Sequence, residues 1–216
     1  MTTRVLLADD QAMMRSAYHM ILDAQPDIEV VAAVADGEAA VDEARRHRPD
    51  VCLLDIRMPK LDGLAATRML AGPGVADPTR VLIATTFDLD EYVYQALRNG
   101  ACGFLLKDTS PALLVEAVRA AAQGNSLISP AITVRLLDRL TAGGPPVDER
   151  PASALTEREL AVVRLVAQGQ TNEEIAARLY VSLSTVKTHV AHVQRKLGVR
   201  NRVEIAVWAW RTGVCR

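Results

Sequence analysis

Five short apolar runs mark the first half of the chain: Arg4–Asp10, Ile28–Val34, Val51–Asp55, Arg80–Thr86 and Gly103–Lys107. Runs such as Val51-Cys52-Leu53-Leu54 lack the polar alternation of a half-exposed strand and predict strands covered on both faces. Between the runs, apolar positions recur at helical spacing. Met13, Met14, Ala17, Tyr18, Ile21 and Leu22 make the first such stretch, and Glu38–Arg48 follows the Asp36-Gly37 turn and stops before Pro49. A short helix is predicted from about Leu64 to Leu70, another over Asp90–Arg98 closed by Asn99-Gly100, and a last one over Pro111–Gln123. Strict alternation of strand and helix implies right-handed crossovers and a doubly wound, five-stranded parallel sheet of the α/β class.

The pattern then changes. Asn125–Leu140, with Ile132, Val134, Leu136, Leu137 and Leu140, predicts a connecting helix, and Thr141–Pro151 is a linker too rich in Gly and Pro to pack. Beyond it the periodicity is helical only. Thr156 to Glu159 and Thr171 to Glu174 are T-x-x-E capping boxes that open two helices. After the turn Val181-Ser182-Leu183-Ser184, a third helix over Ser184–Leu197 repeats Val186, Val190, Val193 and Leu197 on its apolar face. Two helices joined by a tight turn, the second polar and basic outside, predict a helix-turn-helix whose second helix enters the major groove. Three segments result: 1–123, 124–152 and 153–216.

Charge sharpens this division. The formal net charge of the 216 residues is -1, yet residues 1–152 hold 15 Lys and Arg against 21 Asp and Glu, whereas residues 153–216 hold 10 against 5. An acidic unit joined to a basic one points to cations for the first and nucleic acid for the second. Cys52, Cys102 and Cys215 have no CxxC spacing, and free thiols fit a reducing compartment. No apolar stretch reaches the roughly 18–20 residues of a membrane span, so a cytoplasmic protein is expected.

Parallel strands align their carboxyl ends on one edge, where ligands of open α/β sheets bind. That edge would gather Asp9, Asp10, Asp55, Thr85 and Lys107. Grouped carboxylates repel one another unless a cation sits among them, and Mg2+ suits a few carboxylate and carbonyl oxygens. A carboxylate beside such a metal can attack a phosphoryl group, with Lys107 and the Thr85 hydroxyl contacting its oxygens.

With these residues in place, the first segment resembles the receiver domain of two-component response regulators: Asp9-Asp10, Asp55 followed by Met58-Pro59 and Asp62-Gly63, Thr85, and Gly103-Phe104-Leu105-Leu106-Lys107. The resemblance implies a flavodoxin-like sheet and Asp55 as phosphoacceptor from a sensor histidine kinase. It further implies a Mg2+ site of Asp10, Asp55 and the main-chain carbonyl of Arg57, assisted by Asp9, and a switch pair of Thr85 and Phe104. Phe104 has no hydroxyl to report its position, and Arg57 and Asp108 depart from the commonest receiver residues.

Residues 153–213 are similar to the LuxR-type DNA-binding domain, through Leu155-Thr156-Glu157-Arg158-Glu159, Thr171-Asn172-Glu173-Glu174-Ile175-Ala176 and Thr185-Val186-Lys187-Thr188-His189. Joined to a receiver, the pattern resembles the NarL/FixJ subfamily. It implies Lys187, Thr188 and Ala191 at base edges and Thr185, His192, Arg195 and Lys196 near phosphates of double-stranded DNA. Ala191 stands where a polar residue is frequent, and could meet a thymine methyl. His189 and His192, three apart, have no further Cys or His nearby in sequence to complete a metal site. The last helix, Arg202–Thr212, puts Val203, Val207 and Trp210 on one face with Trp208 turned away, a candidate dimer surface for inverted or repeated half-sites. The expected protein is therefore a phosphorylation-controlled transcription factor and not an enzyme, with RNA polymerase as a further partner. Two rivals use the same residues. A Mg2+-dependent phosphatase with an aspartyl-phosphate intermediate commonly has a second acid two positions after its nucleophile, where this chain has Arg57. A constitutive DNA-binding protein would use the receiver only as an interaction scaffold.

Overall fold

The structure is a computed structural model that describes residues 2–86, 90–125, 155–199 and 201–214, with Asp90 and Glu91 described by their backbone alone. The chain divides into two compact units, Met1–Val134 and Arg135–Arg216. The connecting helix and linker expected after Asn125 lie outside the described residues.

The first unit runs β1 (Thr3–Ala8), α1 (Ala12–Asp23), β2 (Ile28–Val34), α2 (Gly37–His47), β3 (Val51–Leu54), α3 (Gly63–Ala71), β4 (Arg80–Thr85), α4 (Asp90–Arg98), β5 (Gly103–Leu106) and α5 (Pro111–Ala122). All strand pairs are parallel and the order is β2-β1-β3-β4-β5, as the alternation predicts. β4 and β5 end one residue earlier than the apolar pattern suggests. Hydrogen bonding continues past that point, with Lys107 N–H donating to the Thr85 carbonyl at 3.0 Å.

The side-chain period of two divides the apolar strands between two helical layers. Val5, Leu7, Leu53, Leu82, Ala84 and Leu105 pack with Tyr18 and Leu22 of α1 and Leu114 and Val118 of α5. Their neighbours Leu6, Cys52, Leu54, Val81, Ile83 and Phe104 point to the other face and are equally buried. Each such aliphatic side chain stabilises the fold by about 1.5–3 kcal/mol. Burial pushes the thiols of Cys52 and Cys102 up to about 12, so both serve as small apolar residues.

The second unit is all helical: α6 (Glu157–Ala167), α7 (Asn172–Leu179), α8 (Leu183–Leu197) and α9 (Arg202–Arg211). Both capping boxes form, at Thr156–Glu159 and Thr171–Glu174. Val186, Val190, Val193 and Leu197 of α8 meet Val162, Val163 and Val166 of α6, Ile175 of α7, and Ile205 and Trp208 of α9 in one core. α8 starts on Ser182, whose Oγ accepts from the Thr185 N–H at 3.1 Å, and stops at left-handed Gly198.

Candidate functional site

The parallel sheet places its chemistry where successive strands stop. Asp9 follows β1, Asp55 follows β3, Thr85 ends β4 and Lys107 follows β5. Asp55 N–H donates to the Ala8 carbonyl at 2.8 Å, tying the two central strand ends together. A carboxylate oxygen from each of Asp9, Asp10 and Asp55 lies within 4.8 Å of the others, the one such group of ligand-bearing residues among the described residues.

Lys107 reaches into this group. Its Nζ stands 2.7 Å from Asp9 Oδ2 and 2.9 Å from Asp55 Oδ2, with its side chain almost wholly buried. The remaining oxygens are also engaged: Gln11 N–H donates to Asp9 Oδ1 at 2.9 Å and Ile56 N–H to Asp55 Oδ1 at 2.7 Å. Burial holds the Asp9 carboxyl above its ordinary value even though Lys107 and Gln11 oppose it. Burial works the other way on the Lys107 ammonium, yet the two carboxylates outweigh it and hold that group charged. Asp10, in contrast, is exposed at the mouth. One buried amine shared between two buried acids, with a third acid facing water, leaves negative charge at an open edge. Such a donor set fits a hard cation such as Mg2+, which Asp9, Asp10 and Asp55 would hold. When bound, that ion would neutralise charge on the acids and on an incoming phosphoryl group.

A cavity of about 480 Å³ opens beside the group, lined by Asp10, Arg57, Met58, Pro59, Asp62 and Tyr92 among others. Its wall is the loop after β3, and this loop is fixed at several points. Asp62 caps α3 by accepting from Ala65 N–H at 2.7 Å, and Gly63 N–H donates to the Ile56 carbonyl at 2.8 Å. A Cβ at Gly63 would lie 1.9 Å from the Asp55 carbonyl oxygen, and one at Gly37 would lie 2.1 Å from that of Leu61, so only glycine permits either approach. Lys60, at a left-handed φ of 64°, sends its Nζ to Asp36 Oδ2 at 2.7 Å. Asp36 also caps α2 through Ala39 N–H. Sequence reading singled out Asp36-Gly37 only as a turn, and nothing in the periodicity pairs it with Lys60 across 24 positions.

Thr85 and Phe104 are both fully buried. Ile83 pairs with Phe104 across the β4–β5 ladder, and Thr85 lies two residues on from Ile83, so Thr85 and Phe104 share one face as diagonal neighbours.

In the second unit Lys187, Ala191 and Arg195 recur every four residues along α8, with Thr188 beside them, away from its buried valines. Thr188, Ala191 and Arg195 are exposed, while Lys187, Thr185 and His192 are half-buried. The Thr188 hydroxyl donates to the Ser184 carbonyl at 3.0 Å, leaving its lone pairs outward. Lys196 is different: its Nζ lies 2.7 Å from buried Glu159 Oε2, joining the end of α8 to the start of α6. Burial alone would raise the Glu159 carboxyl, but Lys196 and the Thr156 donors hold it down at about 2. On α9, Trp208 belongs to the core, whereas Trp210 is 60% exposed and Val203 and Val207 are half-buried.

A sheet edge with clustered acids and a buried lysine, followed by a helix-turn-helix unit, defines a receiver joined to a DNA-binding domain. Residues 5–119 match the family of the response regulator receiver domain, and residues 153–209 match the bacterial regulatory proteins of the luxR family. The chain is 39% identical over 214 residues to the uncharacterized transcriptional regulatory protein YxjL of Bacillus subtilis (strain 168), covering 98% of this chain and 96% of the relative. It is 38% identical over 208 residues to the transcriptional regulatory protein LiaR of the same organism, covering 96% and 97%. Among solved structures, the response regulator ChrA of a heme-sensing two-component system matches with a TM-score of 0.53 and 36% identity, covering 99% of each chain. The chain belongs to the two-component response regulators of the NarL/FixJ type, a family of transcription regulators and not of enzymes.

Proposed function

We propose that this regulator accepts a phosphoryl group on Asp55 from a sensor histidine kinase, with Mg2+ held by Asp9, Asp10, Asp55 and the Arg57 carbonyl, and thereby controls its binding to DNA. The observation that carries the reading is the placement of Lys107, whose Nζ already bridges Asp9 and Asp55 at 2.7 and 2.9 Å. An amine so placed can follow the charge onto a phosphoryl oxygen, and the Thr85 hydroxyl can donate to another. Phe104, diagonal to Thr85, would follow its movement and turn occupancy of Asp55 into a shift between two populations.

The favoured population is a homodimer formed through Val203, Val207 and Trp210, which matches two-fold related half-sites. Lys187, Thr188 and Ala191 face base edges there, and Thr185, His192, Arg195 and Lys196 lie near phosphates. No helix among the described residues is long and apolar enough to cross a membrane. We place the protein in the cytoplasm, where the kinase, the DNA and RNA polymerase are accessible to it.

Incubation with acetyl phosphate and Mg2+ followed by intact-mass measurement tests the acceptor: wild type gains one phosphoryl group and Asp55→Asn gains none. An adduct surviving in Asp55→Asn removes the assignment. Lys187→Ala tests the groove reading, with an expected loss of about 1–3 kcal/mol in operator affinity. Wild-type affinity in that variant would mean that another surface reads the DNA.

A further inference from the structure

Tyr180 occupies an unusual position between α7 and α8. Its φ of 54° and ψ of 46° are left-handed, where a side chain with a Cβ is disfavoured and Gly or Asn is the usual occupant. Nothing among the described residues repays this choice. The residue is 95% exposed, so its ring and hydroxyl stand in solvent. The backbone, by contrast, is held firmly. Val181 N–H donates to the Ala176 carbonyl at 3.0 Å, and Arg158 donates to the Leu179 carbonyl at 2.6 Å. The turn is thus fixed by its neighbours while its most strained residue projects a rigid aromatic phenol outward. A conformation that costs stability and is enforced by its surroundings is characteristic of a functional position.

The surroundings point to one partner. Ser182, Ser184 and Thr185, immediately beyond the turn, form a hydroxyl cluster with Oγ separations of 2.7 and 2.8 Å at the start of α8. Residues 153–216 carry 10 Lys and Arg against 5 acids. In helix-turn-helix docking the first residues of the second helix reach the base edges, so the turn just before them lies at the lip of the groove, beside the phosphate backbone. Building on the DNA-binding reading above, we propose that Tyr180 is a further DNA contact, donating its hydroxyl to a backbone phosphate next to the entry of α8. Phosphate contacts of this kind position the helix and carry no sequence information.

The contact is tested with the full-length protein and a random-sequence DNA duplex, followed by fluorescence anisotropy at several salt concentrations. Tyr180→Asn, which suits the left-handed position, is expected to melt no lower than wild type while binding about three- to tenfold more weakly. Tyr180→Phe should lose affinity to a similar extent. Both should leave the slope of log affinity against log salt unchanged, because a neutral donor releases no counterion. Arg195→Ala is the control for the underlying reading, since loss of a phosphate-facing cation lowers both affinity and slope. Wild-type binding by Tyr180→Asn or by Tyr180→Phe would overturn the contact, as would a lowered melting temperature in Tyr180→Asn, which would make the ring structural. If wild type itself binds without salt dependence and Arg195→Ala changes nothing, the DNA-binding reading fails instead.

Discussion

The two units build their sites in opposite ways. In the receiver, Asp9, Asp55, Thr85 and Lys107 come from four strand ends spread over about a hundred residues, and three of these side chains are buried around a shared charge. In the DNA-binding unit, the candidate contacts between Thr185 and Lys196 lie on one helix, with Thr188, Ala191 and Arg195 exposed. The first site exists only when the sheet exists, so its chemistry and its stability are coupled. The second is displayed by a helix that the core holds from behind, so most of its side chains can change without disturbing the fold. On the function proposed above, the switch would lie in the first site and the readout in the second. A buried ion cluster responds strongly to one added charge, whereas an exposed helix face can vary to suit a new operator.

Substitutions in each unit test this contrast, and the largest effect falls on the core behind the readout. Trp208→Ala should destabilise the second unit by about 3–5 kcal/mol, while Asp55 in the same protein still takes up the phosphoryl group from acetyl phosphate. Loss of acceptor activity together with the fold of α6–α9 would show that the two units are not separately built. Next in size is Lys107→Ala, which leaves two buried carboxylates facing each other without their cation. A cost of about 2–3 kcal/mol is expected in denaturant unfolding without Mg2+, with part recovered when Mg2+ is added. A loss indifferent to Mg2+ would mean that the lysine acts by packing alone.

The Glu159–Lys196 pair repeats in the second unit the pairing of a buried acid with a lysine seen in the first. Glu159 is held at about 2 against an ordinary 4.5. A carboxyl lowered in the folded state adds stability that is complete above about pH 4.5 and disappears as pH falls toward 2, here on the order of 2 kcal/mol because Lys196 is partly solvated. Both tryptophans lie in this unit, so their fluorescence reports it alone. Wild type should lose stability across that acid window, and Glu159→Gln should start lower and show a flatter profile. Parallel profiles would dissociate the pair from acid unfolding. The smallest effect belongs to Trp210→Ala, which should change stability by no more than about 0.5 kcal/mol but shift the phosphorylated protein toward monomer in analytical ultracentrifugation. An unchanged dimer would move the interface away from α9.

Much of this arrangement was legible from residue order. Val51–Leu54 had to be a covered strand, and once five such runs alternated with helices, Asp9, Asp55, Thr85 and Lys107 fell on one edge by topology. The period of α8 likewise separated Val186, Val190, Val193 and Leu197 from Lys187, Thr188 and Ala191. Other features left no trace in the pattern. Lys60 and Asp36 are 24 residues apart and Lys196 and Glu159 are 37 apart, and each partner taken singly looks like an ordinary surface charge. The helical period of α9 showed that Trp208 and Trp210 could not both be buried, and packing chose Trp208.

The sequence by itself determined the element types, their order, the parallel sheet and the residues that gather at its carboxyl edge, because side-chain periodicity and crossover handedness are local properties of the chain. Only the tertiary structure decided which charges pair, that Lys107 bridges Asp9 and Asp55, that glycine at 37 and 63 lets the loop after β3 close against its neighbours, and that Tyr180 stands in the open. Those outcomes depend on distances between groups remote in the chain, and they are set by how the layers pack.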